Sequence, residues 1–127
     1  MGGTSLLDSP EKLLRSAAIL NAMANAKRLE ILLLLCQDEW GVGELAKRVR
    51  LSNSALSQHL AKLRTAQLVS KRKLHHSAFY CCMSHDVRGI LSALDEHTVM
   101  ARHAAQRSRL ARQKQSVFTP HAKREAE

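Results

Sequence analysis

Leu51-Ser-Asn-Ser-Ala-Leu-Ser-Gln-His-Leu-Ala-Lys-Leu-Arg-Thr-Ala66 is the stretch whose reading decides the fold of this chain. At about 100° per residue it forms a short helix with two chemically distinct faces. Leu56, His59, Leu60 and Leu63 fall within roughly one third of the wheel, a stripe wide enough to anchor a helix on a core. Asn53, Ser54, Ser57, Gln58, Ala61, Lys62, Arg64 and Thr65 cover the other side. That side has amides, hydroxyls and cations but no carboxylate, whereas a solvated face normally mixes both signs of charge. Such a surface suits a polyanion, and Asn, Gln, Ser and Arg are the side chains that bond to base edges and phosphates. The start is specified too: Ser52 is a preferred N-cap, and Leu51 and Leu56 stand at the two positions of a hydrophobic staple. The stretch reads as a recognition helix.

Outward from it, the 127 residues fit one small domain with a tail. Apolar residues make up 45% of the chain and aromatics only 3%, so the core is built of Leu, Ala, Val and Ile, which points to helix packing. A formal charge of +9 favours an acidic partner, nucleic acid or an anionic membrane surface. No apolar run approaches the roughly 18 residues of a spanning helix. The start, Met1-Gly-Gly-Thr-Ser-Leu-Leu-Asp8, lacks the basic region of a secretory signal and matches a myristoylation signal poorly. Three cysteines, an odd number, argue against a disulfide framework and fit a reducing cytoplasm. The expected location is the cytoplasm.

Residues 1–8 read as disordered. Ser9-Pro10-Glu11 is N-cap, Pro at the first helical position and an early acid, which starts a helix carrying Leu13, Leu14, Ala17, Leu20 and Met23 at helical spacing. Asn25 can end that helix and cap the next. Leu29-Glu-Ile-Leu-Leu-Leu-Leu-Cys36 is apolar almost all round, which predicts a central, fully buried helix. Gln37–Gly41 reads as a turn. Val42, Leu45, Ala46 and Val49 mark a short third helix with Lys47, Arg48 and Arg50, and about three residues then lead to the recognition helix, the spacing of a helix-turn-helix.

After Ala66 the period becomes extended. Leu68–Lys73 and Ala78–Met83 read as two strands joined across Leu74-His-His-Ser77, without the Asn-Gly or Asp-Gly of a tight hairpin. A basic hairpin behind a recognition helix makes a winged helix-turn-helix. Between Glu44 and His76 stand eight cations (Lys47, Arg48, Arg50, Lys62, Arg64, Lys71, Arg72 and Lys73) against one acid, Glu44. That density is the footprint of phosphate binding.

From Asp86 a long helix carries Val87, Ile90, Leu91, Leu94, Thr98, Ala101 and Ala105 close to heptad spacing. This seam is expected to pack on the same helix of a second subunit, with Leu13 and Leu20 of the first helix assisting. Residues 102–124 hold seven cations and no acid, and are expected to fray into a basic tail after Val117-Phe-Thr-Pro120. The expected organisation is a disordered start over 1–8, a DNA-binding and dimerisation domain over 9–112, and a basic flexible tail over 113–127. The fold class is mostly α with a small β-hairpin wing, in the order ααααββα, dimeric through the first and last helices.

These residues carry a family resemblance. Ala22-Met-Ala-Asn-Ala-Lys-Arg-Leu-Glu-Ile-Leu32, Val42-Gly-Glu-Leu-Ala46, the stretch 51–64 and Leu68-Val69 with the hairpin resemble the ArsR/SmtB family of winged-helix repressors, over about residues 12–100. Within it the chain is most similar to the NolR- and HlyU-like branch, which does not rely on metal. The resemblance implies a homodimer that binds an imperfect inverted repeat near a promoter, usually as a repressor, with Asn53, Ser54 and Gln58 on base edges. Asn53 stands where that branch's pattern has the longer Gln. The residues expected to meet DNA are Ser52, Asn53, Ser54, Ser57, Gln58, His59, Lys62 and Arg64, with Lys71, Arg72, Lys73 and His75 from the hairpin.

No cofactor is expected. The family's Cys-x-Cys before the third helix is replaced by Trp40-Gly-Val-Gly43, and its last-helix zinc spacing falls on Ser84, Asp86, His97 and Met100, which keeps a single imidazole. Asp95, His97 and His103 do not share a helical face. His75, His76, Cys81 and Cys82 are the remaining soft or borderline ligands, a minor alternative as a metal or thiol sensor, because adjacent strand residues point to opposite faces. The redox branch pairs a cysteine in the second helix with one in the last; Leu33 stands at the first position and the last helix has none. Enzymatic function finds no support: Ser52, Ser54 and Ser57 near His59 form no triad, and there is no phosphate loop or His-Glu-x-x-His. The alternative of another class is a winged-helix module for RNA, membrane or protein, weakened by having only Trp40, Phe79, Tyr80 and Phe118 for base stacking.

Overall fold

The structure, a computed structural model, describes the backbone of residues 5–126 and the side chains of residues 5–114. The chain forms two compact units, Met1–Arg88 and Gly89–Glu127. The first holds the helices α1 (Pro10–Met23), α2 (Ala26–Gln37), α3 (Val42–Val49) and α4 (Asn53–Thr65), and the strands β1 (Trp40–Gly41), β2 (Ser70–Leu74) and β3 (Ser77–Cys81). The helix α5 (His85–Ala126) begins in the first unit and makes up the second. This is a winged helix-turn-helix, mostly helical with a small sheet.

Local chemistry sets most boundaries. Ser9 Oγ accepts the Lys12 N–H, Asn25 Oδ1 the Arg28 N–H and Ser52 Oγ the Ala55 N–H, so α1, α2 and α4 all start on a side-chain cap. The helices α3 and α4 stop alike. Arg50 and Gln67 adopt the left-handed conformation (φ 58° and 61°), and the next N–H reaches back five residues, Leu51 to Ala46 O and Leu68 to Leu63 O. That closure satisfies the last carbonyls of each helix. It also sets the tight turn between α3 and α4.

The core of the first unit lies where α2, α3 and α4 meet. Ile31, Leu32, Leu35, Leu45, Val49, Leu56, Leu60 and Leu63 are all buried, each stabilising by about 1.5–3 kcal/mol relative to exposure. α2 is not buried all round as its composition predicts: Leu33 is exposed, and Leu29, Glu30 and Leu34 are half-buried. A single layer of helices covers only one side of a helix, so the excess leucines face out. α1 departs further. Its buried residues are Ile19, Ala22 and Met23, while Leu13, Leu14 and Leu20 stand 45%, 73% and 55% exposed.

The sheet has three strands, not two, in the order β1-β3-β2, all antiparallel. Trp40 pairs with Tyr80 and Gly41 with Phe79, so the expected turn at residues 37–41 ends in a strand too short to show a period. The hairpin connection is tighter than expected: Leu74 pairs with Ser77, which leaves His75-His76 as a two-residue link, with His75 at φ 57°.

Three further expectations change. Leu6–Asp8 form one turn of 3-10 helix capped by Ser5 Oγ, where disorder is expected over 1–8. Val87, assigned to the dimer seam, is fully buried within one chain, so it presents no surface to a partner. α5 extends as helix to Ala126, past Val117, where a fraying tail is expected. Among the described residues no helix is long and apolar enough to cross a membrane.

Candidate nucleic-acid interface

α4 presents the surface its sequence predicts. Asn53, Ser54, Ser57, Gln58, Ala61, Lys62, Arg64 and Thr65 are exposed, and Leu56, Leu60 and Leu63 are buried beneath them. The outward row thus rides on three core leucines, which hold its rotation and turn its side chains to the surface. The helix carries no acid in its first turn and two cations, Lys62 and Arg64, in its last.

Two members of the expected DNA set have other work. Ser52 Oγ caps the helix and lies 3.4 Å from Ser54 Oγ, so its oxygen is engaged before any ligand arrives. His59 is half-buried on the flank of the row. Burial, then the nearby Arg28 and Lys62 charges, push its imidazole below the ordinary histidine value, which makes it neutral near pH 7. It adds no charge to the interface.

The wing's cations divide by strand alternation. All five residues of β2 are exposed. Lys71 and Lys73 point to one face, with Lys71 Nζ 6.0 Å from the Tyr80 ring centroid. Arg72 points to the other, 5.2 Å over the Phe79 ring, and its guanidinium grips Glu39 as a fork, Nη2 to Oε1 at 2.6 Å and Nε to Oε2 at 3.2 Å. Arg72 holds the Glu39 carboxyl below the usual carboxylate range. This pair was not legible in the sequence, since residues 39 and 72 meet only through the sheet. It makes Arg72 a tie between the β1 segment and β2 more than a free phosphate ligand.

His75 and His76 are exposed at the hairpin link, and Cys81 stands at the far end of β3, about 16 Å from His76 at 3.3 Å per residue. That separation overturns their shared metal site. Cys82 is buried and its N–H donates to Leu35 O at 3.0 Å, which brings its thiol against Cys36 at the end of α2. Burial, and then the hydrogen bond to Cys82, push the Cys36 thiol up to about 12. Sequence reading missed this pair because the two cysteines lie on unrelated elements. Among the described residues no group of three or more His, Cys, Asp and Glu is placed to hold a metal ion.

Of the residues assigned to a dimer seam, Leu13, Leu20, Leu94 and Thr98 are exposed, Ile90 is half-buried, and Leu91 joins Val87 among the buried.

The comparisons agree with this geometry. The family model of the bacterial regulatory proteins of the arsR family matches residues 25–71, from the cap of α2 into β2. The chain is 46% identical over 80 residues to the transcriptional activator HlyU of Vibrio cholerae, which spans 63% of this chain and 74% of that protein. The crystal structure of NolR from Sinorhizobium fredii aligns with a TM-score of 0.66 at 47% identity, over 76% of this chain and 95% of that one. A homodimeric winged helix-turn-helix DNA-binding domain from Mycobacterium bovis, solved in solution, aligns with a TM-score of 0.63 at 29% identity, over 77% of this chain and 90% of that one. An acid-free α4 held out by its leucines, a basic wing behind it and likeness of this degree make the chain a member of the ArsR family of bacterial regulatory proteins.

Proposed function

We propose that the chain is a homodimeric repressor that reads an inverted-repeat operator in double-stranded DNA. The observation that carries this is the outward row of α4: eight exposed positions without one carboxylate, fixed by buried leucines. Asn53, Ser54 and Gln58 lie toward the N-terminal half of the helix, the part that meets base edges when such a helix enters the major groove. Ser57, Lys62 and Arg64 contact sugar and phosphate, and Lys71, Lys73 and His75 follow the backbone from the wing. Two-fold pairing supports the inverted repeat, because symmetry in the protein is mirrored in its site. It uses the exposed apolar side chains Leu13 and Leu20 of α1 and Leu94 of α5, with Ile90 and Thr98; the M. bovis relative is itself a homodimer. Such a role places the chain on the bacterial nucleoid and needs no cofactor.

Recovering bound genomic fragments gives the operator, and a gel-shift series against competitor DNA and RNA at several salt concentrations then tests the reading. Gln58→Ala and Ser54→Ala each weaken specific binding by about 1–3 kcal/mol while leaving non-specific DNA binding in place. Unchanged operator affinity in both variants, or equal retention of RNA, overturns it.

A further inference from the structure

Between α1, α2 and α4 the first unit has an open cleft of about 470 Å³, within the range of small-ligand sites. Its polar lining is Asn21 from α1, Arg28 from α2, and Lys62 and Thr65 from α4, and no carboxylate is among the residues that form it. Arg28 is the unusual member. It is the one charged residue buried in the described chain, only 8% exposed, and it pairs with no acid there. Its Nε donates to Ala22 O at 2.5 Å and its Nη2 to Asn21 O at 3.4 Å, so carbonyl dipoles at the end of α1 hold the guanidinium in place. Those dipoles offset only part of the cost of burying a full charge. Lys62 brings a second cation to the same space. The imidazole of His59, lowered first by burial, is lowered further by the Arg28 and Lys62 charges beside it.

We propose that this cleft binds a small oxyanion, a phosphate or carboxylate group held between the Arg28 guanidinium and the Lys62 ammonium. The planar fork of Arg matches two oxygens of such a group, and Lys62 supplies a point charge on its far side. Asn21 gives a neutral amide at the rim, while the Thr65 hydroxyl donates to Ala61 O at 2.9 Å. The site stands on its own geometry. Its consequence rests on the DNA reading above: an occupant ties the C-terminal half of α4 to α1 and α2, so a ligand there is thermodynamically linked to whatever the outward row of α4 binds. The same chemistry has two sources, a free small anion or a backbone phosphate of DNA.

The test uses the full chain without DNA and inorganic phosphate as probe, followed by ¹H–¹⁵N NMR at constant ionic strength against chloride. Saturable shifts centred on Asn21, Arg28, Lys62 and Thr65 are expected. Ala18→Glu, on the exposed side of α1 at the cleft wall, sets a carboxylate beside Arg28 without disturbing the core, and raises the apparent phosphate dissociation constant by about tenfold or more. Shifts that chloride reproduces, that do not saturate, or that persist unchanged in Ala18→Glu overturn the site. Because DNA is absent, this outcome is independent of the DNA reading. A second arm assigns the source: duplex affinity unchanged in Ala18→Glu identifies a free anion as the occupant, and duplex affinity weakened alike for all sequences identifies a backbone phosphate.

Discussion

α1 and α4 both carry leucines at helical spacing, and the fold treats them in opposite ways. α4 buries Leu56, Leu60 and Leu63 to 1% exposure or less, whereas α1 leaves Leu13, Leu14 and Leu20 about half or more exposed and buries Ile19, Ala22 and Met23. The same pattern thus serves two ends. In α4 it fixes one helix on its own chain, so that the opposite face can be presented at a constant angle. In α1 the leucines have no such role within the first unit, and a second subunit is the occupant we propose for them.

The largest expected effect breaks the α4 side of this contrast. Leu60→Ala opens a cavity in a closely packed core and costs about 2–5 kcal/mol of unfolding free energy, read from the urea midpoint. Leu20→Ala, by contrast, barely moves that midpoint at concentrations where the chain is monomeric. It weakens self-association by about 2 kcal/mol in sedimentation experiments. If Leu20→Ala destabilises the monomer as Leu60→Ala does, α1 is a core helix of the single chain and the contrast fails.

His59 sharpens the comparison, since it is the ionisable residue of α4 that lies half-buried beside the buried leucines. Its folded value lies below that of an ordinary histidine, chiefly through burial. The unfolded chain therefore binds the proton at higher pH than the fold does. The stability held by neutral His59 is present above about pH 6.5 and is lost as pH falls below it. Urea midpoints of the native chain and His59→Gln, compared from about pH 8 down to pH 5, should diverge only on the acid side.

How much of this was legible follows from the range of each interaction. The caps Ser9, Asn25 and Ser52 act within three residues, and the sequence shows them at the positions where the helices start. The outward row of α4 is equally local, being a matter of period alone. Which face of α1 is buried is not local, because Leu13, Leu14 and Leu20 form as good a stripe as Ile19, Ala22 and Met23, and only the rest of the unit decides. Val87 belongs to the same class: its heptad position suits a seam, yet it is buried in the core of its own chain. Trp40–Gly41 is too short for any period, and its pairing with β3 exists only once the hairpin has formed. Arg28, which lines the cleft, is equally non-local, since its burial depends on the carbonyls at the end of α1.

The smallest effect concerns the wing, where charge alone does not say which cation meets DNA. Each phosphate contact contributes about one unit to the slope of log affinity against log salt. Lys73→Ala should flatten that slope by about one, because Lys73 is exposed and bonded to nothing that neutralises it. Arg72→Ala should flatten it by clearly less, since its fork is occupied by Glu39 and it points to the opposite face of β2. Both ends of this pair are exposed, so its own strength is modest and salt-sensitive. Glu39→Gln then supplies the decisive comparison. If the carboxylate holds Arg72 back, removing its charge should tighten non-specific DNA binding and steepen the slope toward one further contact. Should Arg72→Ala match Lys73→Ala while Glu39→Gln changes nothing, the pair opens when DNA arrives, and Arg72 belongs with the phosphate ligands as the sequence alone suggests.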